Sequence, residues 1–255
     1  MMIVKFSSAF AAILLIATAS GVSAQTTEPQ PLDRPVSWKR LLPNVINDQR
    51  RIWTFPARLQ RKKDWVPAAI VLATTAALLA LDPIEAGDFR RSSSFHTFNQ
   101  VFSGNNTVIG TVVAPVSLYG IGLIRRDLKM QKTALLAGEA VADTEILTTF
   151  LKDSTKRLRP SAVPASGNLS DSWFEGGPVF NSKGSFPSGH TIAAFSVATV
   201  VARRYRDHRW VPYAAYGVAA VVGFSRLSLT THFTSDVFMG GALGYAISRF
   251  AVLRE

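Results

Sequence analysis

Three short stretches of the chain carry residue types that could do chemistry. In SRLSLTTHFTSD, Ser225-Arg226 is followed by His232 and then by Asp236. His232 and Asp236 are four residues apart, so one helical turn would let the carboxylate hold the far nitrogen of the imidazole. That contact fixes the tautomer and leaves the other ring nitrogen free to attack or to accept a proton. A lone His–Asp pair can equally be structural, so its neighbours matter. Two further stretches suit an anion. In Lys152-Asp-Ser-Thr-Lys-Arg-Leu-Arg-Pro160, Lys152 and Arg159 are seven residues apart and would share one helix face. Gly184-Ser-Phe-Pro-Ser-Gly-His-Thr191 precedes an apolar run. Pro187 suits the first turn of a helix, Ser188 is a favoured cap, and Gly189 lets backbone approach a ligand. A helix starting there offers free N–H groups and a positive dipole end to an anion, with His190 beside them. Taken singly, the first of these two is also a basic helix terminus and the second a capped helix start.

The elements that must position these residues are helical. Apolar segments lie near 66–82, 108–124, 133–151, 190–202, 211–225 and 236–253. Alternating strand patterns are scarce, so the expected fold is all-α, a bundle of about six core helices. Pro160 discourages helix and marks an end to the third segment. The segments could be core helices or membrane spans. Apart from the third, their uncharged stretches run about 12 to 17 residues, against the roughly 20 a span needs. The third carries Glu139, Asp143 and Glu145, costly groups in lipid. Both points favour core helices. Basic runs argue for spans: Arg50 to Lys63, Arg125 to Lys132 and Arg203 to Arg209 occupy the cytoplasmic positions of a six-span protein with its N-terminus inside.

The N-terminus reads as a secretory signal over 1–24, with Lys5, an apolar FAAILLIATA and the small-residue pattern Val22-Ser23-Ala24 before Gln25. Cleavage there would put the polar, basic segment 25–64 outside and reverse the six-span topology. The expected organisation is therefore signal, basic segment 25–64, and one helical domain over 65–255, exported to the periplasm or resting on a membrane. An integral inner-membrane protein with six spans and a periplasmic site is the alternative. The chain of 255 residues has no Cys, which excludes disulfides, Cys-bound zinc and thiol catalysis. Its net charge of +11 calls for anionic partners. The basic residues form no stripe with interleaved aromatics, so nucleic acid is not expected; phosphorylated substrates or an anionic membrane surface are.

Together the three stretches resemble the signature of the type 2 phosphatidic acid phosphatase/vanadium haloperoxidase superfamily: Lys, six residues, Arg-Pro; then Pro-Ser-Gly-His; then Ser-Arg, five residues, His, three residues, Asp. Every position and spacing matches, over about residues 150 to 240. The resemblance implies a phosphatase without cofactor or metal, acting on a phosphomonoester or diphosphate of a lipid such as phosphatidic acid. His232 would be the nucleophile, forming a phosphohistidine, with Asp236 orienting it. His190 would protonate the leaving alcohol and then activate water. Lys152, Arg159 and Arg226, with Ser188 and the Gly189 N–H, would hold the phosphoryl oxygens. An exported acid phosphatase for soluble substrates and a vanadate-dependent haloperoxidase are the family's other outcomes. Lys156 and Arg157, off the matched positions, are expected only to be solvated. Phe186, Phe224, Phe233 and Phe238 are expected to pack around the site, and the loop 161–183, with Trp173, to cover it.

Overall fold

A computed structural model describes residues 34–58, 62–92, 94–176 and 184–254. The expected signal segment, the stretch 25–33 that follows it, and the end of the 161–183 loop lie outside the described residues. Among the described residues the chain is all-α, without strands. After a 3-10 turn at Trp38–Arg40, the helices are α1 (Leu41–Trp53), α2 (Phe55–Arg58), α3 (Lys62–Arg91), α4 (His96–Val101), α5 (Gly104–Ile124), α6 (Leu128–Thr155), α7 (Gly189–Arg204), α8 (Trp210–Ser228) and α9 (Thr234–Ala246). A π-helical turn, Ile247–Val252, extends α9.

The core is the meeting of α6, α7, α8 and the π turn. Leu136, Val200, Val211, Val222 and Val252 are buried there among alanines. α7 packs against α6, α8 and α9. Its small residues permit this, and so do the glycines of α9: a Cβ at Gly240 would stand 2.8 Å from the Ser188 carbonyl oxygen, and one at Gly244 would collide with the Ile192 carbonyl. The α7–α9 seam is thus a backbone-to-backbone contact that needs glycine.

Local signals set the helix ends that matter. The Asp127 carboxylate caps α6 by accepting the Met130 N–H at 2.9 Å. At its other end Lys156 turns left-handed, at φ 44°, and returns its N–H to the Lys152 carbonyl. Ser188 is the extended residue before α7. Because α6 to α9 alternate in direction, the end of α6, the start of α7, the end of α8 and the start of α9 meet at one end of the bundle. Cross-links show this: the Ser188 N–H donates to the Asp236 carbonyl (3.0 Å) and the Ser161 N–H to the Thr230 carbonyl (2.9 Å).

The first apolar segment departs from expectation. It forms α3, the stretch Trp65–Arg91 is long and apolar enough to cross a membrane, and only 11% of its most apolar window is buried. Ile70, Leu72 and Ile84 stand more than half exposed. It is not a core helix. Length counted over uncharged residues misled, because Asp82, which ended the count, is buried by pairing inside the protein rather than left in the apolar surroundings.

Candidate active site

The geometry around His232 differs from a helical His–Asp pair. His232 lies in the turn before α9, and Asp236 is the third residue of that helix. Imidazole Nδ1 is 2.8 Å from the Ser185 carbonyl oxygen, and 3.6 Å from Asp236 Oδ2, beyond hydrogen-bond reach. The carbonyl can only accept, so Nδ1 carries the proton and Nε2 is left with a lone pair. Asp236 stays the adjacent counter-charge. Its Oδ2 accepts from the Ser185 hydroxyl and from the Phe233 N–H at 2.8 Å, and Oδ1 accepts from Arg157 Nη1 at 2.7 Å. Capping the first turn of α9 therefore also places the carboxylate.

Both members of the pair are buried, which sets their protonation. Burial is the main cause that pushes the His232 imidazole below its ordinary value; Lys152 and Arg159 push the same way and Asp236 opposes them. Burial would raise Asp236, but the contacts with His232, Arg157 and the Ser185 hydroxyl outweigh it and hold the carboxyl below the usual range. A neutral imidazole beside an ionised carboxylate results.

The cations expected around an anion are brought together, by routes other than a shared helix face. α6 ends at Thr155, so Arg159 approaches Lys152 from extended chain beyond the Lys156 turn. Lys152 is depressed first by burial and then by Arg159. Its Nζ lies against Gly189, where a Cβ would stand 3.3 Å away. Arg159 Nε is buried without a hydrogen-bond partner. Arg226, 1% exposed, is anchored by the Phe102 carbonyl and Ser225 Oγ, and burial, helped by Arg159, pushes it down to about 10. Ser188 is buried, with its hydroxyl accepting from Thr191 at 2.9 Å; Gly189 and half-buried His190 open α7. Pro187 stands outside the helix, and the Phe186–Pro187 peptide is cis.

Sequence reasoning missed Arg157. It is 2% exposed, not solvated. Nη1 donates to Asp236 and, at 2.8 Å, to Ser235 Oγ; Nη2 donates to Asp82 Oδ2 at 2.7 Å; Nε donates to Ser172 Oγ at 3.3 Å. The rings of Phe233 and Trp173 lie over the guanidinium at 3.9 and 4.6 Å. Asp82 and Ser185 were missed as well. The one available hint was a single acid in an otherwise apolar segment, which must find a partner. Of the four expected aromatics, Phe233 packs on Arg157, Phe186 on Trp173, and Phe224 against Phe89, Phe95 and Phe98; Phe238 enters none of these ring contacts. A depression beside His232 is lined by Pro160 and Thr230, and by Ala86 and Phe89 of α3.

An all-helical core gathers basic residues on a His–Asp unit at one end, an arrangement suited to an anion. Residues 133–254 match the PAP2 superfamily. The chain is 28% identical over 179 residues to the lipid A 1-phosphatase of Porphyromonas gingivalis, covering 70% of this chain and 35% of that protein. It is 35% identical over 107 residues to phosphatidylglycerophosphatase B of Bacillus subtilis, covering 39% and 46%. The matches thus span less than half the length of these relatives. Among solved structures, a transmembrane PAP2-type phosphatidylglycerolphosphate phosphatase from Bacillus subtilis aligns over 97% of this chain and 94% of its own, with TM-score 0.38 and 20% identity.

Proposed function

We propose that the protein is a lipid phosphatase that hydrolyses a phosphomonoester or diphosphate through a phosphohistidine on His232, without metal. The observation that carries this is the state of His232: buried, neutral, with Nδ1 tied to the Ser185 carbonyl and Nε2 free beside Lys152 and Arg159. In the first step Nε2 attacks phosphorus, the P–O bond to the alcohol breaks, and His190 donates a proton to the departing oxygen. The phosphorylated imidazole gains positive charge, which Asp236 at 3.6 Å offsets. In the second step His190 takes a proton from water, the water oxygen bonds to phosphorus, and the P–N bond breaks. Lys152, Arg159, Arg226, the Ser188 hydroxyl and the Gly189 N–H stabilise charge on the phosphoryl oxygens in both steps.

Two findings support a lipid substrate over a soluble one. The two relatives described above bear the names of lipid phosphatases. The depression at His232 is lined in part by Ala86 and Phe89 of α3, and the exposed apolar surface of that helix suits acyl chains. Membrane association through α3 belongs to the same reading, with export by the 1–24 signal as the route. The test is phosphate release in EDTA by the intact chain, comparing phosphatidic acid, phosphatidylglycerophosphate and lipid A in micelles with a small aryl phosphate. Release from a lipid substrate, absent in His232→Ala, is expected. Preference for the aryl phosphate would turn the assignment to a soluble acid phosphatase. Halide oxidation with added vanadate and peroxide, and no phosphate release, would turn it to a haloperoxidase.

A further inference from the structure

Arg157 and Asp82 are buried charges for which the proposed reaction has no direct use, yet they hold a group it does use. The Arg157 fork joins Asp236 on one side and Asp82 on the other, both at 2.7 Å. Asp82 also accepts the Ser235 N–H at 3.0 Å and the Ser235 hydroxyl, so it grips the residue next to Asp236 in the first turn of α9. A guanidinium held at all three nitrogens, with two rings over it, has one orientation available. Asp82 is supplied by α3, which buries little else of its apolar stretch.

We infer that Asp82–Arg157–Asp236 is a positioning clamp for the His232–Asp236 unit, and that it makes turnover depend on how the apolar helix α3 is seated. The inference rests on the phosphatase reading. Neither Asp82 nor Arg157 touches the reacting phosphate in it; both act through Asp236. The groups facing His232 are Asp236 from α9, Lys152 from α6 and Arg159 from the segment after it. Asp82 and Arg157 stand behind Asp236, where loss of either charge changes the field at the imidazole without removing a phosphate ligand.

The experiment compares Asp82→Asn, Arg157→Lys and Arg157→Gln with the wild type, as full chains in detergent and in phosphatidylcholine vesicles. Asp82→Asn lowers kcat about 10- to 100-fold, because displacement of a catalytic unit by a fraction of an ångström has that scale of effect. KM for a small aryl phosphate stays within about 2-fold, since the phosphate-holding cations are intact. Arg157→Lys keeps the charge and the fold but loses the fork, and falls by a similar factor. The acid limb of the rate profile moves down in pH for Asp82→Asn, which removes a negative charge, and up for Arg157→Gln, which removes a positive one. A merely structural role would lower the melting temperature and leave both limbs in place. NMR titration of the His232 ring nitrogens reads the same shifts without turnover. Unchanged kcat with an unmoved His232 titration overturns the clamp. A wild type that releases no phosphate overturns the phosphatase reading instead, and opposite displacements of the His232 titration by the two variants would still uphold the clamp.

Discussion

Two buried charge networks, one just beyond the end of α6 and one midway along it, are built to different standards. At the site end, Arg157 uses every guanidinium nitrogen, and Asp236 satisfies both carboxylate oxygens. Midway along α6, Arg34 pairs with Asp48 and Glu139 at 2.5 Å each, Asn44 donates to Glu139 at 2.9 Å, and Gln49 donates to Asp143 at 2.9 Å. This second network ties the 34–53 segment and, through Arg254 at 3.6 Å from Asp48, the C-terminal end to the bundle. It is incomplete: Arg34 Nε, Asp48 Oδ1 and Asp143 Oδ2 are buried without hydrogen bonds. Acids outnumber cations, and burial, with Asp48 and Glu139 adding to it, pushes Asp143 up to about 7. The difference is one of purpose. The Arg157 bridge that orients Asp236 is fully paired, whereas an anchor can keep an unpaired acid provided the sum of its contacts holds the segment down.

The comparison predicts that the two networks fail differently. His232→Ala should cut turnover by at least about 1,000-fold while helical content by circular dichroism stays unchanged, because only the proposed nucleophile is lost. Residual activity near the wild-type rate would remove His232 from the centre of the mechanism. Arg34→Met should cost about 3–5 kcal/mol of stability, since it leaves Asp48 and Glu139 buried without their cation. The fraction that remains folded should keep its kcat, and denaturant titration beside a turnover assay would show it; a loss of kcat in folded protein would mean the anchor and the site are coupled. Gly244→Ala tests the seam between α7 and α9, and a cost of about 1–3 kcal/mol is expected because the opposing Ile192 carbonyl is backbone and cannot move aside.

The smallest effect should come from Asp143→Asn, and its sign depends on pH. Asp143 binds its proton more tightly folded than unfolded, so its contribution is fully present below about pH 4 and is lost as pH rises toward about 7. The amide should raise the melting temperature at pH 8 by about 3 °C and change it little at pH 4. An equal gain at both pH values would show that Asp143 is not the group that titrates.

Much of the candidate site was legible along the chain. Lys152, Arg159, Ser188, Gly189, His190, Arg226, His232 and Asp236 sit in three local patterns, whose types and spacings suit an anion. Their geometry was only half legible. Seven-residue and four-residue spacings suggested shared helix faces, but α6 stops at Thr155 and α9 starts at Thr234, so neither pair lies on one helix. Helix ends are decided by single residues, here the left-handed Lys156, and spacing does not report them.

What the sequence determined by itself was the all-α class, the anion-seeking charge and the residues of the candidate site, because periodicity, composition and side-chain chemistry are local properties. Tertiary structure alone decided that Ser185 rather than Asp236 holds the imidazole proton, that Arg157 is a buried bridge, and that α3 keeps its apolar surface outside the core. Each of those depends on partners far apart in the chain, such as Asp82 and Arg157, 75 residues from one another. Their meeting is a result of packing, and no local pattern encodes it.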